Sequence, residues 1–410
     1  MSSAKPRILL IVTQDTKEVE GQFLRECLEE AGCDVIHLDP SVRRTVGGAE
    51  IGPDAVAAAA GKSIEDIRAI GHEGKIQMEM IAGASKLALE THASTPLSGI
   101  ISVGGSMGTT LGTTVMRAFP YGLPKVMIST LASGFTAPFV GLKDIVMVNA
   151  VCDISGINSI TLDVYRNGAF GIAGMAHHYE KRVADKRPLV LISTLGTTER
   201  GMRRLRESLE GDGYEVMVFH TTGMGGQTLD AIAAERDVAA IVDMSLVEIN
   251  DLIHDGICSA GPDRGTAGLK RGIPVIFAPG NADFYIMPSP MAVGDDPFQG
   301  RRFHVHNAAL TAVRTGQADL EKLADHVAGL VQEAPGPVRF YVPLKGFSSH
   351  DSEEGYLHDP SLPPKFATYV EAVMPANVDV RRFDAHINDA IFGDALADAV
   401  REMTKAKIEA

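Results

Sequence analysis

The sequence predicts an α/β protein made of two tandem Rossmann-like domains, each a doubly wound parallel sheet, facing a shared cleft. Three observations carry this expectation. Arg7–Val12 is a continuous apolar run that leads into an amphipathic segment through Phe23, Leu24, Cys27 and Leu28, then into a second run, Asp34–Leu38. The same pattern returns at Pro188–Ser193, with Met202, Leu205 and Leu209 in the helical part and Tyr214–His220 as the next strand. Both halves also place a Gly-x-Pro turn before an apolar strand, at Gly122-Leu123-Pro124 and Gly272-Ile273-Pro274. Unbroken apolar runs suit strands covered on both faces, and a strand–helix–strand unit with parallel strands closes right-handed.

The elements follow in order. Thr13-Gln14-Asp15-Thr16 ends the first strand, and Gly32 closes the helix after it. Gly99–Val103 is a strand whose loop, Gly104–Thr110, opens a helix through Val115 and Met116. Val126–Ile128 is a further strand, ending at Ser129-Thr130-Leu131-Ala132-Ser133-Gly134. In the second half the strand-end segments are Ser193–Thr198, His220–Gly226, Asp243-Met244-Ser245 and Pro279-Gly280-Asn281. Asn281–Arg302, rich in Pro, Asp and Met, predicts an irregular segment over the cleft; Val338–Val342 predicts a strand and Pro363–Ala410 a helical tail. A chain of 410 residues exceeds one hydrophobic core, so the polar stretch Glu180–Arg187 divides a domain at 1–180 from one at 188–410.

Composition narrows the function. Lys+Arg 38 against Asp+Glu 52 gives a net charge of −14, with basic residues only in short pairs such as Arg203-Arg204 and Arg301-Arg302. Binding to a phosphate backbone needs a basic face, so nucleic acid is excluded as a partner. Cys27, Cys33, Cys152 and Cys258 are scattered, without CxxC pairs or histidines at metal-ligand spacing, which fits a reducing, cytoplasmic setting. Ala93–Met116 is uncharged and long enough to span a bilayer, yet its Gly, Ser and Thr content reads as a buried strand plus loop, so no membrane partner is expected.

Open parallel sheets bind ligands outside the carboxyl ends of their strands. Nearly every such end here is glycine or a small hydroxyl residue, which predicts a cradle for a small anionic ligand. In the first domain the candidates are Gly104, Gly105, Ser106, Gly108, Thr109, Thr110, Ser129 and Ser133; in the second, Thr197, Thr222, Gly225 and Gly226. Glycine permits close backbone approach, helix-start amides attract an anion, and hydroxyls add donors. The same loops also read as tight turns whose hydroxyls cap a helix. Neither a Walker A loop nor a GxGxxG fingerprint nor a serine-hydrolase elbow is present. Arg264 is a candidate clamp for a phosphate or carboxylate. His220, Asp263 and Glu248 are candidate proton-handling or orienting groups, with a helix cap or an Asp–Arg turn as the structural alternatives. His304-x-His306 and Asp384-x-His386-x-Asn388-Asp389 have spacings that a metal can use, or that tie the chain to a neighbouring segment.

Several motifs in order resemble a family of largely uncharacterised proteins that includes the ATP-binding N-terminal domain of the plant tobamovirus-resistance protein. They are Gly104-Gly105-Ser106 with Gly108-Thr109, Pro124-Lys125 with Ser129-Thr130 and Ser133-Gly134, Val218-Phe219-His220 with Thr222-Gly223 and Gly225-Gly226, Ala260–Arg264, His306-Asn307, Arg314-Thr315, Pro343 with Gly346-Phe347-Ser348, and Asp384–Asp389. The resemblance implies ATP as ligand, with Mg2+ alongside it, and self-association as a homo-oligomer. It also implies a separate TIM-barrel protein as partner, because the plant relatives carry such a domain after this one. The chain departs from the family at Met107, where glycine is usual, at Ser245-Leu246-Val247 in place of a threonine-rich run, and at Glu199-Arg200 in place of Thr-Pro. Taken together the expectation is a metabolic enzyme, ATP-using or converting a small acid; the alternatives are a nucleotide-responsive binding module and a nucleotide-independent lyase or hydrolase acting on an oxo- or hydroxy-acid.

Overall fold

A computed structural model describes residues 5–183, 185–290, 298 and 300–408. The chain divides into two units, Met1–Ala184 and Asp185–Ala410.

The N-terminal unit runs β1 (Arg7–Ile11), α1 (Gln14–Glu30), β2 (Asp34–Leu38), α2 (Pro53–Ala59), α3 (Ile64–Ala69), α4 (Glu73–Ser94), β3 (Gly99–Gly104), α5 (Ser106–Arg117), β4 (Lys125–Ser129), α6 (Ala137–Val140), β5 (Val146–Asn149) and α7 (Ser159–Tyr179). Its sheet is wholly parallel, in the order β2-β1-β3-β4-β5. Successive strand residues serve opposite faces, as the pleat requires. Leu9, Ile11, Ile100 and Met127 pack with α2, α4 and α5, while Ile8, Leu10, Ile101, Val126 and Ile128 pack with α1 and α7. This double covering is why β1 reads as an unbroken apolar run rather than an alternating one.

The C-terminal unit runs β6 (Leu189–Thr194), α8 (Glu199–Gly211), β7 (Glu215–His220), α9 (Met224–Glu235), β8 (Ala240–Asp243), α10 (Val247–Ile253), α11 (Thr266–Lys270), β9 (Val275–Phe277), β10 (Phe284–Pro288), β11 (Phe303–Val305), β12 (Leu310–Arg314), α12 (Gln317–Val331), β13 (Val338–Pro343), α13 (Leu362–Val373), β14 (Val378–Phe383) and α14 (Ala390–Ile408). Its main sheet is parallel, ordered β14-β13-β9-β8-β6-β7, so its first four strands repeat the winding of the first unit. One face is covered by α8 and α14 through Met202, Leu205, Leu209, Phe392, Leu396 and Val400. A small antiparallel sheet, β10-β12-β11, sits over a separate apolar cluster with α10.

Three expectations need correction. The segment expected to be a helical tail contains β14, which completes the edge of the main sheet beside β13. Arg381 and Arg382 obscure it, because an edge strand needs an apolar face on only one side. Within Asn281–Arg302, expected to be irregular, Phe284–Pro288 forms β10; residues 291–297 and 299 lie outside the described residues. The Gly104–Thr110 loop is mostly helix, since α5 begins at Ser106. The uncharged stretch Ala93–Met116 is the end of α4, β3 and α5, and no helix among the described residues is long and apolar enough to cross a membrane.

Candidate functional site

In the N-terminal unit the winding reverses between β1 and β3, and the chain ends beyond these strands diverge to opposite faces of the sheet. That divergence opens a crevice at a switch point. It is occupied by a cavity of about 650 Å3, and every residue lining it belongs to this unit. Thr13, Asp15, Thr16 and Lys17 follow β1; Pro40, Val42 and Arg43 follow β2; Gly104 ends β3, and Gly105, Ser106, Met107 and Gly108 follow it. The wall is completed by Gly71 before α4, by Glu73, Ile76, Gln77 and Met80 on α4 and by Leu111 further along α5.

The two helices that start at this crevice differ. At α1 the Gln14 amide donates to Asp39 Oδ1 at 3.0 Å and the Asp15 amide to Ser41 Oγ at 3.0 Å, so protein oxygens already serve these groups. At α5 the N-cap is Gly105, no side chain caps the helix, and its first turn carries no acidic residue. An uncapped helix start with this composition favours an anion through its unpaired amides and dipole. Gly104 cannot take a side chain, because a Cβ there would meet the Gly108 Cα at 2.7 Å. Gln77 Nε2 donates to the Met107 carbonyl at 2.7 Å, tying α4 to the first turn of α5. Lys17 and Arg43 bring positive charge to the wall, Asp15 and Glu73 negative charge; Arg43 lies 3.9 Å from Glu73.

The other hydroxyl candidates of this unit do not line that cavity. Thr109 and Ser129 are fully buried and share a hydrogen bond of 2.6 Å, locking the start of α5 to the end of β4. Thr110 Oγ donates back to the Ser106 carbonyl at 2.9 Å, as a helical threonine does. Ser133 lines a second cavity of about 390 Å3 after β4, with Thr130, Leu131, Gly134, Phe135 and Phe139.

In the C-terminal unit the strand ends of β7 and β8 are filled from within. Arg264 is buried; its Nη1 and Nη2 donate to Asp243 at 2.9 and 2.8 Å and its Nε donates to Glu248 at 2.7 Å. Glu248 Oε1 in turn accepts the amides of Gly223 and Gly226 at 2.8 and 2.9 Å. The start of α9, expected to receive a ligand, therefore holds an internal carboxylate. Burial alone lowers the Arg264 pKa, but the Asp243 and Glu248 charges outweigh it and hold the guanidinium above its ordinary value. Burial pushes Glu248 up, against the pull of Arg264. The expected Arg264 clamp thus has its guanidinium committed to two protein carboxylates, and Gly226 is glycine because a Cβ there would overlap Glu248 Oε2 and Arg264 Nε. Gly225 is likewise set by the His220 carbonyl.

His220 ends the edge strand β7 and is exposed, as are Thr222 and Asp263, whose carbonyl accepts from Thr266. Thr197 accepts from Asn281 Nδ2, and Asn281 also accepts from Ser245 Oγ at 2.8 Å. Asn281 adopts φ of +59°, a conformation that asparagine tolerates better than most residues. Asn388 donates to the Thr197 carbonyl at 2.9 Å and His386 Nε2 to the Ser348 carbonyl at 3.0 Å, so the Asp384–Asp389 motif ties its segment to neighbouring loops. His304 stacks on Tyr356 with ring centroids 4.6 Å apart, while His306 is exposed. Among the described residues no three His, Cys, Asp or Glu side chains are grouped to hold a metal ion.

Comparison with known proteins places this architecture. The N-terminal domain of the uncharacterised protein family UPF0261 matches residues 6–181, and the C-terminal domain of the same family matches residues 187–404. The chain belongs to the UPF0261 family. A UPF0261 protein of Clostridium tetani is 34% identical over 405 residues, covering 97% of this chain and 98% of its own. A UPF0261 protein of Brucella suis is 31% identical over 389 residues, covering 93% and 92%. The ToMV resistance protein Tm-1(GCR237) of Solanum lycopersicum is 30% identical over 431 residues, covering 98% of this chain and 56% of the longer tomato protein. The UPF0261 division into two family domains falls close to the division between the two units.

Sequence reasoning missed the α4 side of the cavity. Ile76, Gln77 and Met80 lie near residue 104 only after folding, and their sole signal is the i, i+4 spacing of Ile76 and Met80. It also missed the role of Asp243, an unremarkable strand-end residue until Arg264 is brought beside it.

Proposed function

We propose that the N-terminal unit binds a small phosphorylated or carboxylate molecule in the cavity beyond β1 and β3, with the anionic group at Gly104-Gly105-Ser106. One observation carries this: a 650 Å3 cavity at the sheet's switch point is bordered by the uncapped start of α5. ATP with Mg2+ is the ligand that the family resemblance nominates, and a small organic acid is its rival within the same chemistry. The protein is then an enzyme that uses ATP or converts a small acid, and Lys17, Arg43, Asp15 and Glu73 are the ionisable groups at hand on the cavity wall. The reading extends to a cytoplasmic setting, self-association and a separate TIM-barrel partner.

A second reading, a non-catalytic nucleotide-responsive binding module, is favoured by the fact that none of His220, Glu248 and Asp263 lines this cavity. Thermal stabilisation of the purified chain separates ligand classes, because a ligand that binds the native state raises the melting temperature. ATP, ADP, inorganic phosphate and small carboxylic acids are tested with and without Mg2+. The proposal expects a shift with at least one of them that Gly105→Val abolishes; no shift with any, or a shift unaffected by that substitution, rejects it. Turnover of the stabilising ligand favours the enzyme, and ligand-dependent sedimentation without turnover favours the module.

A further inference from the structure

The cavity is chemically two-sided. Beside the glycine turn after β3, its wall is a stripe of four apolar side chains: Val42, Ile76, Met80 and Leu111. Ile76 and Met80 stand one turn apart on α4, facing Leu111 of α5, and all four are continuous with the apolar core on that face of the sheet. Met80 and Leu111 are 1% and 6% exposed, so this side of the cavity has a closed hydrocarbon floor. Two polar side chains of the same wall are engaged by the backbone. Gln77 donates to the Met107 carbonyl, and the Asp15 carboxylate accepts the amides of Val42 and Arg43 at 3.2 and 2.9 Å. A purine seated against this stripe would bury its ring nitrogens and amino group on Val42, Ile76, Met80 and Leu111, whose side chains offer no hydrogen-bond partner, and that costs affinity. Asp15 and Glu73 on the same wall offset the charge of Lys17 and Arg43, so the wall adds no net attraction for a second or third anionic group on the ligand.

We infer that the ligand is an organic acid with one compact anionic head, phosphate or carboxylate, and a hydrocarbon body, aliphatic or aromatic, lying against Val42, Ile76, Met80 and Leu111. This rests on the anion-binding reading above and selects within it against the nucleotide. The head sits at the Gly104–Ser106 turn, and the body replaces water over the apolar stripe.

Calorimetric titration of the full chain with inorganic phosphate, butyl phosphate, hexyl phosphate, phenyl phosphate, the matching carboxylates and Mg·ATP tests it. Affinity is expected to rise about fourfold per methylene buried, so that hexyl phosphate binds roughly tenfold or more tighter than butyl phosphate. Ile76→Asn should flatten this dependence while leaving affinity for inorganic phosphate within about twofold. The phosphate and carboxylate arms identify the head. Equal affinity for inorganic and hexyl phosphate, or Mg·ATP as the tightest ligand, overturns the hydrocarbon body but leaves anion binding standing. Binding of none of these probes overturns the anion-binding reading and this inference with it. The chain-length series uses the unsubstituted protein, so the result stands even if Ile76→Asn folds poorly.

Discussion

The start of α5 and the start of α9 are both preceded by glycines, both follow a parallel strand, and both belong to doubly wound units whose first four strands share one order. At α5 the neighbouring space is a cavity, and Gly104, Gly105 and Gly108 form its lip. At α9 the Gly223 and Gly226 amides are taken by Glu248, which is held by Arg264, which is held by Asp243. The difference teaches that a glycine-rich strand end defines a place where backbone amides are available. What occupies them is decided by residues from elsewhere, here by α10 and by the segment before α11. Buried ion pairs of this kind stabilise weakly as a whole but are costly to break singly, since the remaining charge has no partner.

Four experiments sharpen or break this contrast. Arg264→Ala leaves Asp243 and Glu248 buried without their cation, and should cost about 3–5 kcal/mol in denaturant unfolding; a loss under about 1 kcal/mol would mean that water or relaxation replaces the guanidinium and that the second site is not truly plugged. The next effect is one of pH. Asp251, one turn after Glu248 on α10, accepts the Cys258 and Ile286 amides at 2.7 and 2.8 Å, but burial pushes its pKa up to about 7. A carboxyl raised in the fold adds stability that is fully present below its unfolded value near 4 and is lost as pH rises through 7. Stability should therefore fall between roughly pH 4 and 7 through this group, by at most about 1.4 kcal/mol per pH unit. Asp251→Asn should remove that slope, and an unchanged slope would assign it to another group.

Gly226→Ala forces a Cβ into Glu248 and Arg264, and overpacking should cost about 1–3 kcal/mol by thermal or urea unfolding. At Gly105 the matching change meets nothing closer than Thr130 Oγ at 3.9 Å, so Gly105→Ala should alter stability by less than about 0.5 kcal/mol. The two glycines then separate cleanly: one is required by the fold, and the other is free to serve a ligand. Comparable losses at both positions would erase the distinction between an open and a plugged helix start.

Much of the architecture was readable along the chain because it rests on local patterns. The apolar runs at Arg7–Val12 and Pro188–Ser193 became β1 and β6, Asp34–Leu38 became β2 at the same bounds, and the Gly-x-Pro turns precede β4 and β9. Strands covered on both faces announce themselves, because every position must be apolar. β14 was not readable, since Asp379, Arg381 and Arg382 interrupt a strand that only its pairing with β13 reveals. Of the site, Gly104, Gly105, Ser106 and Gly108 were legible through glycine and serine at a strand end, and they do line the cavity. Thr109 and Ser129 share that lettering but turn inward to each other, and a linear pattern does not encode side-chain direction.

The sequence alone therefore determined the α/β class, the duplicated winding and the set of backbone turns at which amides stand free of a helix or strand. Tertiary structure decided which of those turns remained open. The cavity exists because α4, whose Ile76 and Met80 precede Leu111 by more than thirty residues in the chain, stands beside α5 and leaves space between these three side chains. The other turn closed because Arg264 and Glu248, sixteen residues apart, meet at Asp243 and the start of α9. Contacts of that range depend on packing geometry rather than on local propensity, and no periodicity or motif within one segment specifies them.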